Sequence, residues 1–134
     1  MRYTRNGIFT VIRNAVKAEI PGANVTMTYS PTPTVFPTVF VREIGRFTPT
    51  QTAVFSNQQD ISEITWEAQV FSNVKDGAKE QAYDLMEIVD SAFRSIYFIK
   101  TFESPVEQGD KTRYCLVARY RRVVGSGESM PTNS

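Results

Sequence analysis

The residues whose types and spacing could support acid–base chemistry are two glutamates. Glu63 and Glu67 alternate with apolar residues in one stretch, so they share a strand face and stand roughly 13 Å apart at the usual rise of a strand. That separation exceeds the spacing of the paired carboxylates in glycoside hydrolases. We therefore interpret both glutamates as solvated strand positions and not as a catalytic pair.

A second group is basic and lies near the end of the chain, where arginines alternate with tyrosines: Arg113, Arg119, Arg121 and Arg122, with Tyr114 and Tyr120. Arginines among aromatic residues can bind nucleic acid through phosphate contacts and base stacking. However, the formal net charge of the chain is only +1, which gives no global attraction for nucleic acid. The favoured interpretation is a solvent-facing or subunit-facing strand, since arginine is enriched at protein interfaces.

Other reactive groups are few. The chain contains no histidine, and so lacks the commonest general base and zinc ligand. Its single cysteine, Cys115, excludes an intrachain disulfide, and we interpret it as a small core or sheet residue in a reducing compartment. There is no glycine-rich phosphate loop, nucleophile elbow or EF-hand loop. We therefore expect no enzymatic activity, no cofactor and no bound metal.

The elements that must position these residues are clearest between residues 63 and 124. Alternation of apolar and polar residues over Ile64–Phe71 predicts a strand with one buried face. Apolar spacings of three and four over Ala78–Ile96 predict a long amphipathic helix, capped by Asn73 or Asp76. The apolar strand face and the apolar helix stripe should bury each other.

The remaining elements are assigned by the same periodicities and by proline and glycine breaks. The sequence predicts a helix over residues 4–19 and strands over residues 25–29, 38–44, 97–103 and 112–124. Prolines and threonines around residues 30–60 predict an exposed arm. Part of this arm is either a plain connecting loop or a segment whose aromatic residues contact another subunit.

The length of 134 residues fits one domain. We predict a single α+β domain over residues 1–124, in which a mostly antiparallel sheet of four to five strands packs against a long central helix plus an N-terminal helix. The small, polar residues 125–134 are expected to form a disordered tail. No signal peptide or membrane-spanning run is visible, so we expect assembly in the cytosol and no membrane partner.

The stretch from residue 63 to residue 124 also resembles a known family. It contains, in order, the strand Thr65–Asn73, a turn with lysine and glycine, and a helix with Met86–Asp90. Tyr97-Phe98, a proline turn and a strand with Arg113-Tyr114 and Arg119-Tyr120 follow. This order of elements and side chains resembles the tail terminator, or tail completion, proteins of long-tailed bacteriophages. The resemblance covers about half of the chain.

The resemblance implies an α+β subunit that assembles with copies of itself as a ring, typically a hexamer. Such a ring caps the head-proximal end of the tail tube, stops tube elongation, and contacts the tail tube protein on one side. On the other side it meets the head connector or a head-completion protein, and DNA passes through its channel without specific binding. The implied location is the head–tail junction of a virion that is assembled in the host cytoplasm.

Three alternatives remain open at this point. Another neck component, such as a head-completion or stopper protein, belongs to the same structural class. A nucleic-acid-binding accessory module would depend on the four arginines near the end of the chain. A small enzyme without histidine is the third alternative, and no residue of the sequence indicates its substrate.

A ring requires two different, complementary surfaces on each subunit. The candidate contact residues lie in the arm, in the strand after it and in the arginine-rich strand: Val35, Phe36, Phe40, Phe47, Arg119, Arg121 and Arg122. A channel for DNA should repel the phosphates or hold them weakly, because tight binding would stop transit. Glu63 and Glu67, on the polar face of the first core strand, are the candidates for the channel wall.

Overall fold

A computed structural model describes residues 3–28, 36–47, 62–106, 113–125 and 130–131 of the chain. Within these residues the protein consists of two helices and five strands. The helices are α1 (Arg5–Glu19) and α2 (Ala78–Ser95). The strands are β1 (Asn24–Thr26), β2 (Thr38–Phe47), β3 (Ser62–Ser72), β4 (Ile99–Val106) and β5 (Tyr114–Val124). The predicted α+β class, with a mostly antiparallel sheet and two helices, is confirmed.

The strands form one mixed sheet in the order β1-β2-β3-β5-β4. Only the short β1 pairs in parallel, with β2, and the other three pairings are antiparallel. The last strand, β5, is inserted between β3 and β4, so it is an internal strand. A bulge interrupts β2 between Glu43 and Gly45, and a second interrupts β4 between Lys100 and Phe102.

Both helices pack on the same face of the sheet. The apolar residues of α1 and α2 belong to one buried cluster with alternate residues of the strands. At its centre Trp66 of β3 lies 6.2 Å from Phe93 of α2, and Phe93 stacks on Tyr120 of β5 with 4.1 Å between the ring centroids. The expected mutual burial of the β3 face and the α2 stripe is therefore observed.

The two helices begin differently. In α1 the Thr4 hydroxyl accepts a hydrogen bond from the backbone N–H of Gly7 at 3.0 Å, which satisfies one amide that the first turn leaves unpaired. The cap of α2 is Gly77, which has no side chain to make such a bond. The prediction that Asn73 or Asp76 caps α2 is wrong, because the backbone of Asp76 has a φ of 62° and turns the chain just before the helix.

Two predicted segments, the arm and the C-terminal tail, lie mostly outside the described residues. Most of the predicted arm, including the candidate contact Val35, lies outside them. The predicted tail also lies mostly outside them, but Met130 is 4% exposed and belongs to the core cluster. At Met130 the chain is therefore packed against the domain, and the prediction of a disordered tail does not hold at that residue.

Candidate functional site

The face of the sheet opposite the helices is the candidate functional surface. Antiparallel register places Arg42 of β2, Glu67 of β3 and Arg119 of β5 side by side on it, with Phe102 of β4 beyond Arg119. The rows on either side of this one contain Phe40, Thr65, Val117, Arg121 and Ile99. Beyond them, Phe47, Glu63 and Val123 lie at one end of the strands and Val106 lies at the other end. No helix of the described residues packs on this surface, which we call the open face.

Glu67 is the centre of the open face and is only 4% exposed. One carboxylate oxygen, Oε1, accepts from Arg42 Nη2 at 3.2 Å and from Gln69 Nε2 at 3.2 Å, and Oε2 accepts from Arg119 Nε at 3.1 Å. Burial opposes ionisation, but the hydrogen bonds from Gln69, Arg119 and Arg42 outweigh it and lower the pKa of Glu67. Glu67 is therefore a buried carboxylate bridge between two strands, and the prediction of a solvated position is wrong for it.

Aromatic rings support the arginines on either side of this bridge. The Arg42 guanidinium lies 5.7 Å from the centroid of the Phe40 ring, and that of Arg119 lies 5.6 Å from the Phe102 ring. Such stacking is favourable because the face of an aromatic ring attracts a cation. In a neighbouring row Arg121 donates to Glu63. The open face is thus an array of ion pairs lying flat on strands β2, β3 and β5.

The charges of this array are unequally exposed. The side chains of Arg42, Arg119 and Arg121 are 49%, 51% and 49% exposed, whereas those of Glu63 and Glu67 are 16% and 5% exposed. A molecule that approaches the open face therefore meets arginines, although each is paired. It also meets large apolar side chains that are 39–66% exposed, namely Phe47, Ile99, Phe102, Val106 and Val123.

The predicted contact residues do not all lie on this face. Arg119, Arg121 and Phe47 lie on it and are exposed, whereas Phe40 lies on it but is only 2% exposed. Arg122 lies on the helix side, where its guanidinium is 5.8 Å from the Tyr3 ring and 5.4 Å from the Tyr97 ring. Arg122 is therefore separated from Arg119 and Arg121, because consecutive strand residues point to opposite faces.

Phe36 belongs to a smaller contact next to the sheet. Its ring is half-buried and lies 5.8 Å from the guanidinium of Arg113. The arginine-rich strand β5 is not an edge of the sheet, because β4 pairs along its outer side. The outer edge of the sheet is β4, in which seven of eight residues are exposed.

A second polar cluster lies between β4, β5 and α2. Lys100 Nζ donates to Asp90 Oδ2 and to Glu103 Oε1, both at 2.8 Å, and the Tyr120 hydroxyl donates to Asp90 as well. Burial alone would lower the pKa of Lys100, but the hydrogen bonds and charges of the two carboxylates outweigh this effect, so the pKa is raised. Burial and the bond to Asp90 raise the pKa of Tyr120. The sequence does not reveal this cluster because its members come from three elements; its only signal is that Lys100 lies three residues before Glu103.

Neither cluster provides a nucleophile or a metal site. Burial raises the pKa of the Cys115 thiol to about 12, and this side chain is 2% exposed. Among the residues that the structure describes, no group of cysteine, aspartate and glutamate side chains could hold a metal ion. Neither α1 nor α2, the two helices described, is long and apolar enough to cross a membrane.

On the helix side, α1 and α2 leave a groove between them with a volume of about 500 Å³. Small and apolar residues line it, among them Ala15, Ile88 and Ala92. The carboxylates Glu19, Asp84 and Glu87 also line it. None of the described lining residues is basic. We call this feature the interhelical groove. It lies on the side of the subunit opposite the open face.

Comparison of the chain with models of known protein families gives no match, and comparison with curated proteins gives no significant match.

Proposed function

We propose that this protein is a structural component of a phage virion, of the tail terminator type. In this proposal copies of the chain form a ring, hexameric as in the family that residues 63–124 resemble. The ring caps the head-proximal end of the tail tube, stops its elongation and offers an interface to the head connector or a head-completion protein. Its channel lets DNA pass without specific binding.

The observation that carries the proposal is the open face. It combines half-exposed arginines with large apolar side chains, of which Ile99 and Phe47 are 66% and 54% exposed. Exposed apolar side chains mixed with arginine are typical of protein–protein interfaces. A surface of this kind across a whole sheet favours a protein that works by assembling with other subunits.

The two polar clusters favour a structural role over a catalytic one. The carboxylate of Glu67 is occupied by Arg42, Arg119 and Gln69, and that of Asp90 by Lys100 and Tyr120. Catalytic acids and bases must be able to exchange a proton with a substrate in an accessible site. These carboxylates instead connect neighbouring strands, or a strand and a helix.

The arrangement of the arginines bears on the nucleic-acid-binding alternative. Arg122 contacts the rings of Tyr3 and Tyr97 on the helix side, and Arg119 and Arg121 are paired with glutamates on the open face. Phosphate binding needs several cations directed at one backbone. The split arrangement favours a subunit interface. The burial of Glu67 also makes this residue unsuited to line a DNA channel.

Imaging and localisation test the proposal. Purified protein examined by native mass spectrometry and negative-stain electron microscopy should form rings with a central opening. Gold-labelled antibody on phage particles should mark the head–tail junction. Labelling on tails that lack heads supports a terminator, and labelling only on filled heads supports the neck-component alternative. Particles without label at the junction would contradict both.

A further inference from the structure

The open face and the interhelical groove occupy opposite sides of the same subunit, and their properties are complementary. On the open face the arginines are about half exposed and their glutamate partners are largely hidden. The groove is lined by three carboxylates and no basic residue. The more exposed charged side chains of the open face are thus positive, and the charged side chains that line the groove are negative. Such complementarity steers association and fixes the register of a contact.

The apolar parts of the two surfaces also correspond. Ile99 and Phe102 of β4 are 66% and 46% exposed on the open face. The groove offers Ala15, Ile88 and Ala92, which are small or aliphatic and leave room between the helices. A contact that buries exposed apolar side chains gains roughly 25 cal/mol for each Å² removed from water. The volume of the groove, about 500 Å³, and its small or aliphatic lining residues are compatible with burial of these β4 side chains.

We infer that the ring contact seats the open face of one copy against the interhelical groove of the next copy. The inference depends on the proposed ring function and specifies its subunit interface. The contact is heterologous, because it uses two different surfaces, and a heterologous contact generates a ring when its rotation closes and an open filament when it does not. The alternative of two open faces stacked on each other brings arginine against arginine, and like charges across an interface are unfavourable.

DNA is the less suitable occupant of the open face. Its arginines are paired with Glu63 and Glu67, and the exposed aliphatic side chains of Ile99 and Val123 lie beside Arg121. Exposed aliphatic side chains gain little from a phosphate backbone. The inference consequently places Glu63 and Glu67 at the subunit contact and not on the channel wall.

Pairwise cross-linking tests the contact. One variant carries Glu87→Cys, in the groove, and another carries Ile99→Cys, on the open face; both positions are exposed. Each protein alone, and the two mixed, are treated with a short bis-maleimide at the highest attainable concentration. We expect a cross-linked dimer only in the mixture. The native Cys115 serves as the internal control because it is buried and its thiol stays protonated.

Charge reversal provides the second measurement. Glu87→Lys places a cation opposite the arginines of the next copy. We expect the protein concentration at which half of the chains are assembled to rise at least about tenfold. Glu80→Lys is the matched control: it changes the charge of the same helix equally, is exposed, and lies away from the groove lining. This variant should assemble like the wild-type protein.

The outcomes separate the inference from the proposed function. Rings that form without a cross-link in the mixture, or that tolerate Glu87→Lys, would overturn the contact but leave the ring function intact. Cross-linking of Ile99→Cys alone would indicate an isologous contact and would also overturn the inference. So would a duplex oligonucleotide that blocks the cross-link by binding the open face. The absence of both cross-link and assembly overturns the inference, and the ring function is then decided by the labelled particles.

Discussion

Replacement of Glu67 by alanine is the sharpest test of how the open face is built. The substitution removes the acceptor for Arg42, Arg119 and Gln69 and leaves two guanidiniums side by side without the carboxylate between them. Loss of one partner of a fully buried ion pair costs about 3–5 kcal/mol. Here the arginines are about half exposed and can be hydrated once the carboxylate is gone, so the cost must be smaller.

The magnitude follows from the three bonds. Each half-exposed ion pair contributes about 0.2–1 kcal/mol, and the bond from the Gln69 amide contributes about 0.5–1.5 kcal/mol. We therefore expect Glu67→Ala to lower the free energy of unfolding by about 1–3 kcal/mol. Urea denaturation followed by tryptophan fluorescence measures this directly, since Trp66 is adjacent in β3 and buried. The midpoint temperature of thermal unfolding should fall by roughly 2–6 °C for each kcal/mol of lost unfolding free energy.

The pH dependence provides an independent check. The pKa of Glu67 is lowered in the folded state, so its contribution is fully present above the pKa of the unfolded chain and is lost as pH falls through the folded value. The stability difference between wild type and Glu67→Ala should therefore be constant near neutral pH and shrink below about pH 4.3. Glu63→Ala, which removes one pair with a half-exposed arginine, is the control and should cost about 0–1 kcal/mol. A Glu67→Ala protein within about 0.5 kcal/mol of wild type at pH 7 would show that the three bonds to the Glu67 carboxylate do not stabilise the domain.

Three further predictions concern other parts of the domain. Tyr120→Phe removes a buried hydroxyl bond to Asp90 and should lower the free energy of unfolding by about 0.5–1.5 kcal/mol in urea, an unchanged value arguing against that bond. Cys115 should resist a thiol reagent in the native protein and react on denaturation, because burial raises its pKa to about 12; fast native labelling would show that this part of the sheet opens. Thr4→Ala should cost about 1 kcal/mol by removing the cap on Gly7, with Thr4→Ser as the conservative control that retains it.

Within single elements, the periodicity of the sequence predicted which side chains are buried. The alternation in β5 correctly separated Leu116 and Ala118, which are buried against the helices, from Arg119 on the other face. The stripe of α2 was equally clear, since its residues recur at three and four and are buried. Both patterns arise within one element, where the spacing of side chains is set by backbone geometry alone.

Pairing between elements could not be obtained in this way. Glu67 was expected in solvent because it alternates with buried residues, and it does point away from the helices. It is nevertheless buried, because β2 and β5 bring Arg42 and Arg119 to it from 25 and 52 residues away. A single sequence does not reveal which strand will be a neighbour, so the bridge and the unequal exposure of its charges emerged only with the sheet order.

The position of β5 determines when the sheet can close during synthesis on the ribosome. Of the strands that the structure describes, β5 is synthesised last, yet it lies between β3 and β4. Among the described strands, β4 has β5 as its only neighbour, and one side of β3 also stays unpaired until β5 arrives. A nascent chain that has not reached residue 124 therefore leaves β4 without a partner strand and one side of β3 unpaired, and such open edges invite intermolecular pairing. Closure of the sheet must wait until synthesis of the domain is nearly complete, so a truncated product should aggregate instead of forming a smaller stable fold.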